Sequence, residues 1–581
     1  MTKWTSRTAR LALLLAATLL FSPHAATAQT APSKKSTAAQ PAGSEWWRHA
    51  VIYEIYPRSF GDTNADGMGD LNGITEHLDF LQQLGIDGIW IAPCFPSPQV
   101  DFGYDVSDYK AIAPEYGTMA DFDRLMAEAK KRNIRILLDF VVNHTSDKHP
   151  WFVESASSRT NPKANWYMWQ NGKGADGKQV PNNWQSLFGH SAWEWNPKRN
   201  QFYYHMFYKE QPDLNWRNPE VRKAMYDVMR FWMDKGVSGF RLDAVSTLFE
   251  DPKLTDDPIE PGTNAYGDPK IKHVHTDNLP EVHDVFKQMR QVVNQYPGGV
   301  LVGETYLPSA AEMAKVYGNG KEINLPMATQ VGFTNKRSAS EIGKKLNELM
   351  LLPKSDTPLL VFDNHDNVRS WDRYGEGLDD AQRAQFAKVI AATLLAPRGS
   401  ALMYYGQEIG MKTTTPTRVE DVQDPIGKTG WPKEKGRDGE RTPMQWNEDK
   451  NAGFSTADKT WLPVPDTYKQ VNVADEEKDP DSVLNFYKAM LKLRHDNPVF
   501  ENGDYQGINN LNPNVLSFLR KTPTGTVLVA INYSDSPQKA NYGAQGKQAK
   551  TLLSTFAKAD DTQDLTNMTL PAFGVFIGQI K

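Results

Sequence analysis

Between Val51 and His495 short apolar runs alternate with amphipathic stretches, and this alternation constrains the fold more than any other feature of the chain. The runs 51–56, 88–91 and 134–142 read as buried strands, the last with more apolar residues in succession than a half-exposed sheet carries. Helical spacing follows them: Ile74, Leu78 and Leu81 mark one face of 73–84, closed by Gly85, and Phe122, Leu125, Met126 and Ala129 mark the next helix. The rhythm pauses over Thr145 to Arg217, roughly 70 residues rich in Trp, Asn, Gly and Tyr, long enough to form a small domain of their own. It resumes with a helix over 219–235, strands over 239–242, 299–303, 323–327, 358–362 and 400–404, and helices over 282–293, up to Leu352, 380–395 and 481–495. Parallel strands covered by helices in this number predict a (β/α)8 TIM barrel, an α/β fold. After Asn497 short β-like runs such as 515–519 and 526–531 alternate with Gly, Asn, Pro and Asp, the texture of an antiparallel β domain. The expected organisation is a barrel over 46–144 and 218–497, an inserted domain over 145–217 after strand three, and a C-terminal β-sandwich over 498–581.

The first residues have a different purpose. Lys3, Arg7 and Arg10 precede an apolar run from Leu11 to Phe21, and Ala26-Thr27-Ala28 follows as a small-residue cleavage site. Residues 1–28 therefore read as a secretory signal peptide, too short to span a bilayer, with 29–45 an aperiodic lead-in. The single cysteine, Cys94, excludes an intramolecular disulfide. A net charge of -5 without a long basic run speaks against nucleic acid and anionic membrane as partners. Aromatic residues at 11%, including 16 Trp, suit a ligand with flat apolar faces such as a small oligosaccharide.

Polar residues then gather where a barrel builds its active site, at the carboxyl ends of strands. Strand three leads from Asp139 to Asn143-His144, strand four carries Arg241 and Asp243, strand five ends at Glu304, and strand seven runs into Asp363-Asn-His-Asp366. A buried structural ion pair would explain Arg241 and Asp243 taken alone. Carboxylates and two histidines from four strands converging on one mouth need a catalytic reason. An Asp243 held ionised by Arg241 at the carboxyl end of a barrel strand would serve as a nucleophile. Arg241 beside Asp243 is expected to lower that carboxyl's pKa, and an apolar setting after Val302-Gly303 to raise that of Glu304.

Asp139-Phe-Val-Val-Asn-His144, Gly239-Phe-Arg-Leu-Asp243, Gly303-Glu304 and Phe362-Asp-Asn-His-Asp366, in that order, resemble the motif blocks of glycoside hydrolase family 13, the α-amylase family. The resemblance runs from about Trp46 to the C-terminus. It implies retaining glycoside cleavage, in which an ionised carboxylate attacks and a protonated one about 5 to 5.5 Å away serves the leaving oxygen, with Asp243 as nucleophile, Glu304 as acid/base, Asp366 as the transition-state-stabilising carboxylate, and His144, Arg241 and His365 lining the same sugar subsite. Gln211-Pro-Asp-Leu-Asn-Trp216, Asp101-Phe-Gly-Tyr-Asp105 and the block from Gly436 to Trp446 resemble the oligo-1,6-glucosidase and α-glucosidase branch. That branch implies Tyr104 stacked on the terminal glucose, with Asp101 and Arg441 gripping its far hydroxyls. It also implies a structural Ca2+ on Asp62, Asn64, Asp66, Asp70 and the carbonyl of Met68, because Asp62 to Asp70 sets oxygen ligands at alternate positions. A tight Asx-rich turn would explain the same residues. No organic cofactor is implied. Ala244, next to the nucleophile, leans the preference to α-1,4 bonds, since Val stands there in relatives cutting α-1,6 bonds. The charged loop of sucrose isomerases is absent, the matching region reading Val331-Gly-Phe-Thr-Asn-Lys-Arg337. Hydrolysis and glucosyl transfer share one covalent intermediate, so an exported α-glucosidase is expected, with a glucosyltransferase or isomerase, or an oligo-1,6-glucosidase, as alternatives.

Overall fold

A strand whose side chains are buried on both faces needs a covering on each, and eight such strands meet that demand by closing on themselves. In the computed structural model, which describes residues 45–334, 336–508 and 512–581, they do so. The expected signal peptide and its lead-in up to residue 44 lie outside the described residues. The barrel strands are Val51–Ile55, Gly88–Ile91, Arg135–Val141, Gly239–Asp243, Val300–Gly303, Leu325–Ala328, Leu359–Val361 and Ser400–Tyr404. Each pairs in parallel with the next, and the eighth returns to the first, Val51 opposite Ala401. Alternate residues point inward, so Ile52, Trp90, Leu137, Val302, Met327 and Leu402 fill the lumen beside Trp47. One step further along the same faces the filling turns polar, with Glu54, Asp139 and Arg241. Register sets Asp139 directly opposite Arg241, and Val141 opposite Asp243, the last residue of its strand.

Outward residues meet the helices, among them Met119–Lys131, Pro219–Asp234, Val282–Val293, Ala339–Leu349, Asp380–Leu395 and Val483–Asp496. Two features depart from the expected elements. The helix predicted over 73–84 is broken into Leu71–Glu76 and Leu78–Leu84. At the break His77 places Nδ1 2.8 Å from the carbonyl oxygen of Gly73 and stacks its ring on Trp446 at 3.7 Å, and that packing outweighs helical continuity. A helix over Ala310–Tyr317, unforeseen, lies between strands five and six, its start capped by Ser309 accepting from the Glu312 N–H.

The insertion after strand three folds as a three-stranded sheet around Trp184, Trp193, Phe202 and Tyr204. A second insertion follows strand four, an exposed hairpin over Ile259–Thr263 and Pro269–Ile271. Beyond a short helix, Pro498–Asn502, the C-terminal part is a six-stranded antiparallel sheet and a two-stranded one sharing a core of Leu519, Leu528, Leu570 and Phe576. Among the described residues no helix is long and apolar enough to cross a membrane.

Candidate active site

Arg241 is the centre of the mouth. Fully buried, it stands over Trp90, 4.7 Å from the ring centre, and divides its guanidinium among three carboxylates. Nη1 donates to Asp243 Oδ1 at 2.6 Å and to both oxygens of Asp139 at 3.2 Å, while Nη2 lies 2.8 Å from Glu304 Oε1. The other Glu304 oxygen accepts the backbone N–H of Ala244 at 2.8 Å. Residues from strands three, four and five are thereby locked into one constellation.

The division corrects two expectations. Burial pushes Asp243 well above the usual carboxylate range against the pull of Arg241, and Asp139 likewise up to about 6. Asp139 and Asp243 compete for one guanidinium, so any proton they hold belongs to the pair. Glu304 does not stand in an apolar setting; it stands on the same guanidinium as Asp243 and on a backbone N–H.

Asp366 is built the opposite way. Against the burial that would raise it, His365, Arg437 and Arg441 hold its carboxyl well below the usual range. Arg437 Nη1 and Arg441 Nη2 both reach Asp366 Oδ1, at 2.9 and 2.8 Å. The two arginines lie four residues apart around a single turn, and the structure separates their roles. Arg441, expected beside Asp101, is fully buried and spends its Nε on the carbonyl of His365 at 2.8 Å. Arg437, which the sequence reading passed over, meets Asp101 at 2.8 Å and Asp424 at 2.8 Å as well as Asp366. It ties the segment after strand eight to the loops after strands two and seven. The signal was present as a second arginine in the block from Gly436 to Trp446.

These groups enclose a cavity of about 250 Å3 whose lining includes Asp101, Tyr104, His144, Asp243, Ala244, Glu304, Asp366 and Arg437. Small-molecule sites for larger ligands run to roughly 300–1,000 Å3, so this one is sized for about one sugar ring. Tyr104 lies parallel to the His365 ring at 5.5 Å and 12°. Burial holds His144 neutral, pushed down to about 3, with Nε2 3.0 Å from the Gln211 side-chain amide. Gln211, which opens the block running to Trp216, completes the wall with Phe188, Phe207 and Ile426, which were not singled out in the sequence. His365 is buried behind the lining, its Nε2 3.2 Å from Asp366 Oδ2.

The loop after strand one lies apart from this mouth. Asp62 Oδ1 accepts from the N–H groups of Asn64 and Ala65, and its Oδ2 from Gly67 N and Ser455 Oγ. Asn64 and Asp66 repeat the pattern two residues on, and Asp70 accepts from Thr63 and Gly73. Gly67 has φ of +89°, and a Cβ there would sit 2.1 Å from the carbonyl oxygen of Lys459, so only glycine fits. Among the described residues no three His, Cys, Asp or Glu side chains converge as a metal grip.

Comparison with known proteins agrees with this geometry. The family description "Alpha amylase, catalytic domain" matches residues 54–503, and "Maltogenic Amylase, C-terminal domain" matches 505–577. A probable α-glucosidase of Rhizobium meliloti is 41% identical over 501 residues, covering 84% of this chain and 90% of the relative. The oligo-1,6-glucosidase of Parageobacillus thermoglucosidasius is 36% identical over 576 residues, 92% of this chain and 99% of its own. Among solved structures, the α-glucosyl transfer enzyme XgtA superposes with a TM-score of 0.84 at 37% identity, covering 92% of this chain and 100% of its own. The trehalulose synthase MutB of Pseudomonas mesoacidophila gives 0.83 at 34%, covering 92% and 99%. With four strand-end blocks meeting at one mouth and both family descriptions matched end to end, the chain belongs to the α-amylase family of glycoside hydrolases, in its oligo-1,6-glucosidase and α-glucosidase branch.

Proposed function

We propose that the protein is an exported, retaining α-glucosidase that releases glucose from the non-reducing ends of short α-glucosides, preferring α-1,4 bonds. The observation that carries this reading is that Asp243 and Glu304 share one guanidinium at the wall of a cavity sized for one sugar ring. Two carboxyl groups held by one guanidinium support direct attack rather than attack by an intervening water. In the first step Glu304 gives its proton to the glycosidic oxygen, an oxygen of Asp243 bonds to the anomeric carbon, and the carbon–oxygen bond to the leaving sugar breaks. In the second, water gives a proton to Glu304 and its oxygen takes the anomeric carbon from Asp243, so the configuration is retained. Asp366, held ionised by its arginines, balances the positive charge that develops on the ring. The bridge from Arg437 to Asp101 and Asp366 closes the far end of the pocket, which favours removal of one terminal unit at a time. Export rests on the N-terminal pattern of 1–28.

Glucosyl transfer is the second reading, favoured by the likeness to XgtA and MutB. Initial rates on maltose, isomaltose, sucrose, trehalose and maltotriose, with products identified, separate the two. Free α-glucose released fastest from maltose is the expected result; sugar isomers or longer oligosaccharides as main products would overturn hydrolysis. Ala244→Val is expected to shift the ratio of rates from maltose towards isomaltose by about tenfold, since a methyl or two in a pocket is worth about 1–3 kcal/mol. Ala244 has φ of +43°, where a β-branched residue is strained, so the variant should also melt lower. An unchanged ratio in a folded variant would show that this position does not choose the bond.

A structural Ca2+ in the loop after strand one is also proposed. Asp62, Asn64, Asp66, Asp70 and the Met68 carbonyl supply hard oxygen donors only, the chemistry this ion takes. Several of those oxygens already accept from backbone N–H groups, so bound ion and loop geometry would reinforce one another. Chelation is expected to lower the melting temperature by about 5 °C. An unchanged midpoint, with no metal found by elemental analysis, would leave the loop as a self-closed Asx turn.

A further inference from the structure

One charged side chain of the first strand takes no part in these steps. Glu54 stands among Val51, Ile52, Tyr53 and Ile55, is fully buried, and among the described residues forms no ion pair with Lys or Arg. Its Oε1 lies 2.6 Å from His365 Nδ1 and accepts the His365 backbone N–H at 3.3 Å, while Oε2 is buried without a hydrogen-bond partner. The His365 ring is clamped on both faces, by Tyr56 at 5.8 Å and Tyr104 at 5.5 Å, with Trp90 at its edge.

The far nitrogen fixes the proton count. Tyr104 Oη, 2.6 Å from Nε2, gives its own O–H to Asp139 Oδ2 at 3.2 Å and so accepts from Nε2, and a bare Nε2 lone pair would face Asp366 Oδ2, kept ionised by its arginines, at 3.2 Å. Nε2 must therefore carry hydrogen. One further proton lies between Nδ1 and Glu54 Oε1. Placed on Nδ1 it would make a buried imidazolium with Arg441 on the His365 carbonyl, and Arg437 and Arg241 close by. Placed on Glu54 it leaves both partners neutral.

We propose that Glu54 is a positioning residue: as a carboxylic acid it donates to His365 Nδ1 and fixes the Nε2–H tautomer, the one that donates to Tyr104 Oη and turns its positive edge towards Asp366. The role in turnover rests on Asp366 serving the reaction as proposed above. Burial acts in the same sense on both partners, raising Glu54 and lowering His365, against Arg241 on the first and Asp366 on the second.

Glu54→Gln offers an amide N–H where the acid offers its hydroxyl, and Glu54→Leu offers nothing. Leu is expected to cost about 10²-fold or more in kcat/KM, the class of loss seen when a histidine tautomer is freed, while Gln restores activity to within about threefold of the parent. Protein labelled with 15N-histidine, with the His365 signal assigned by its loss in His365→Asn, is expected to show a neutral Nε2–H ring in the parent and in the Gln variant. A doubly protonated ring in the parent would overturn the proposal, as would a folded Gln variant as damaged as Leu, or both variants at parental activity. If Leu fails to fold, the Gln variant and the parental spectrum still decide. A parent that hydrolyses no α-glucoside would remove the function proposed above and leave the ring spectrum as an independent test.

Discussion

Replacing Asp243 by Asn is expected to cut kcat/KM on p-nitrophenyl α-glucoside by at least about 10⁴-fold, because the amide cannot form the glucosyl ester on which both steps depend. The fold should survive. Removing one partner of a buried ion pair is usually costly because it orphans the other charge. Here Arg241 keeps Asp139 and Glu304, so its charge stays balanced, and the loss of one of three crowded carboxylates relieves repulsion. The expected melting temperature is within a few degrees of the parent. Activity within tenfold of the parent in the purified, folded variant would remove Asp243 from the nucleophile's role.

Glu304→Gln should separate the two steps. Maltose has a poor leaving group, so loss of the acid is expected to cost about 10²–10⁴-fold. An aryl glucoside needs little protonation to leave, so its first step should survive and the second, deprived of its base, should stall. The glucosyl-enzyme then accumulates, visible by mass spectrometry of quenched protein on the peptide containing Asp243. Azide needs no base to attack, so adding it is expected to restore aryl glucoside turnover and yield α-glucosyl azide. Maltose hydrolysis near the parental rate, or a product of inverted configuration, would exclude Glu304 as the acid/base of a retaining enzyme.

Much of this was legible in the sequence because two periodicities carry it. Apolar runs of strand length alternating with helix faces specify the barrel, and a polar residue ending such a run is visible one strand at a time. Asp243, Glu304 and Asp366 stand out for that reason. Relations between strands are harder to read. Asp139 meets Arg241 across 102 residues through barrel register, so the three-way division of one guanidinium, and its effect on Asp243, had no local signature. Arg437 and Arg441 share one short block, and only the turn they sit on shows that the first faces the cavity and the second the backbone of strand seven's loop. Glu54 did carry a signal, a lone charge inside an otherwise apolar strand, but it was absorbed into the run. The break at His77 depends on Trp446, distant in sequence, and no helical pattern could report it.

The hydrogen bond from Ala244 N–H to Glu304 has a consequence for how such an enzyme can change. Ala244 lines the cavity and also holds, through its backbone N–H, the carboxyl of Glu304, and it does so from a left-handed conformation. A larger side chain there would reshape the cavity wall and, by disturbing the left-handed backbone, tilt the amide that aims Glu304. If the function proposed above holds, selectivity and rate would be inherited together at this position. A lineage exploring new sugars through residue 244 would have to buffer each step with changes elsewhere around Glu304.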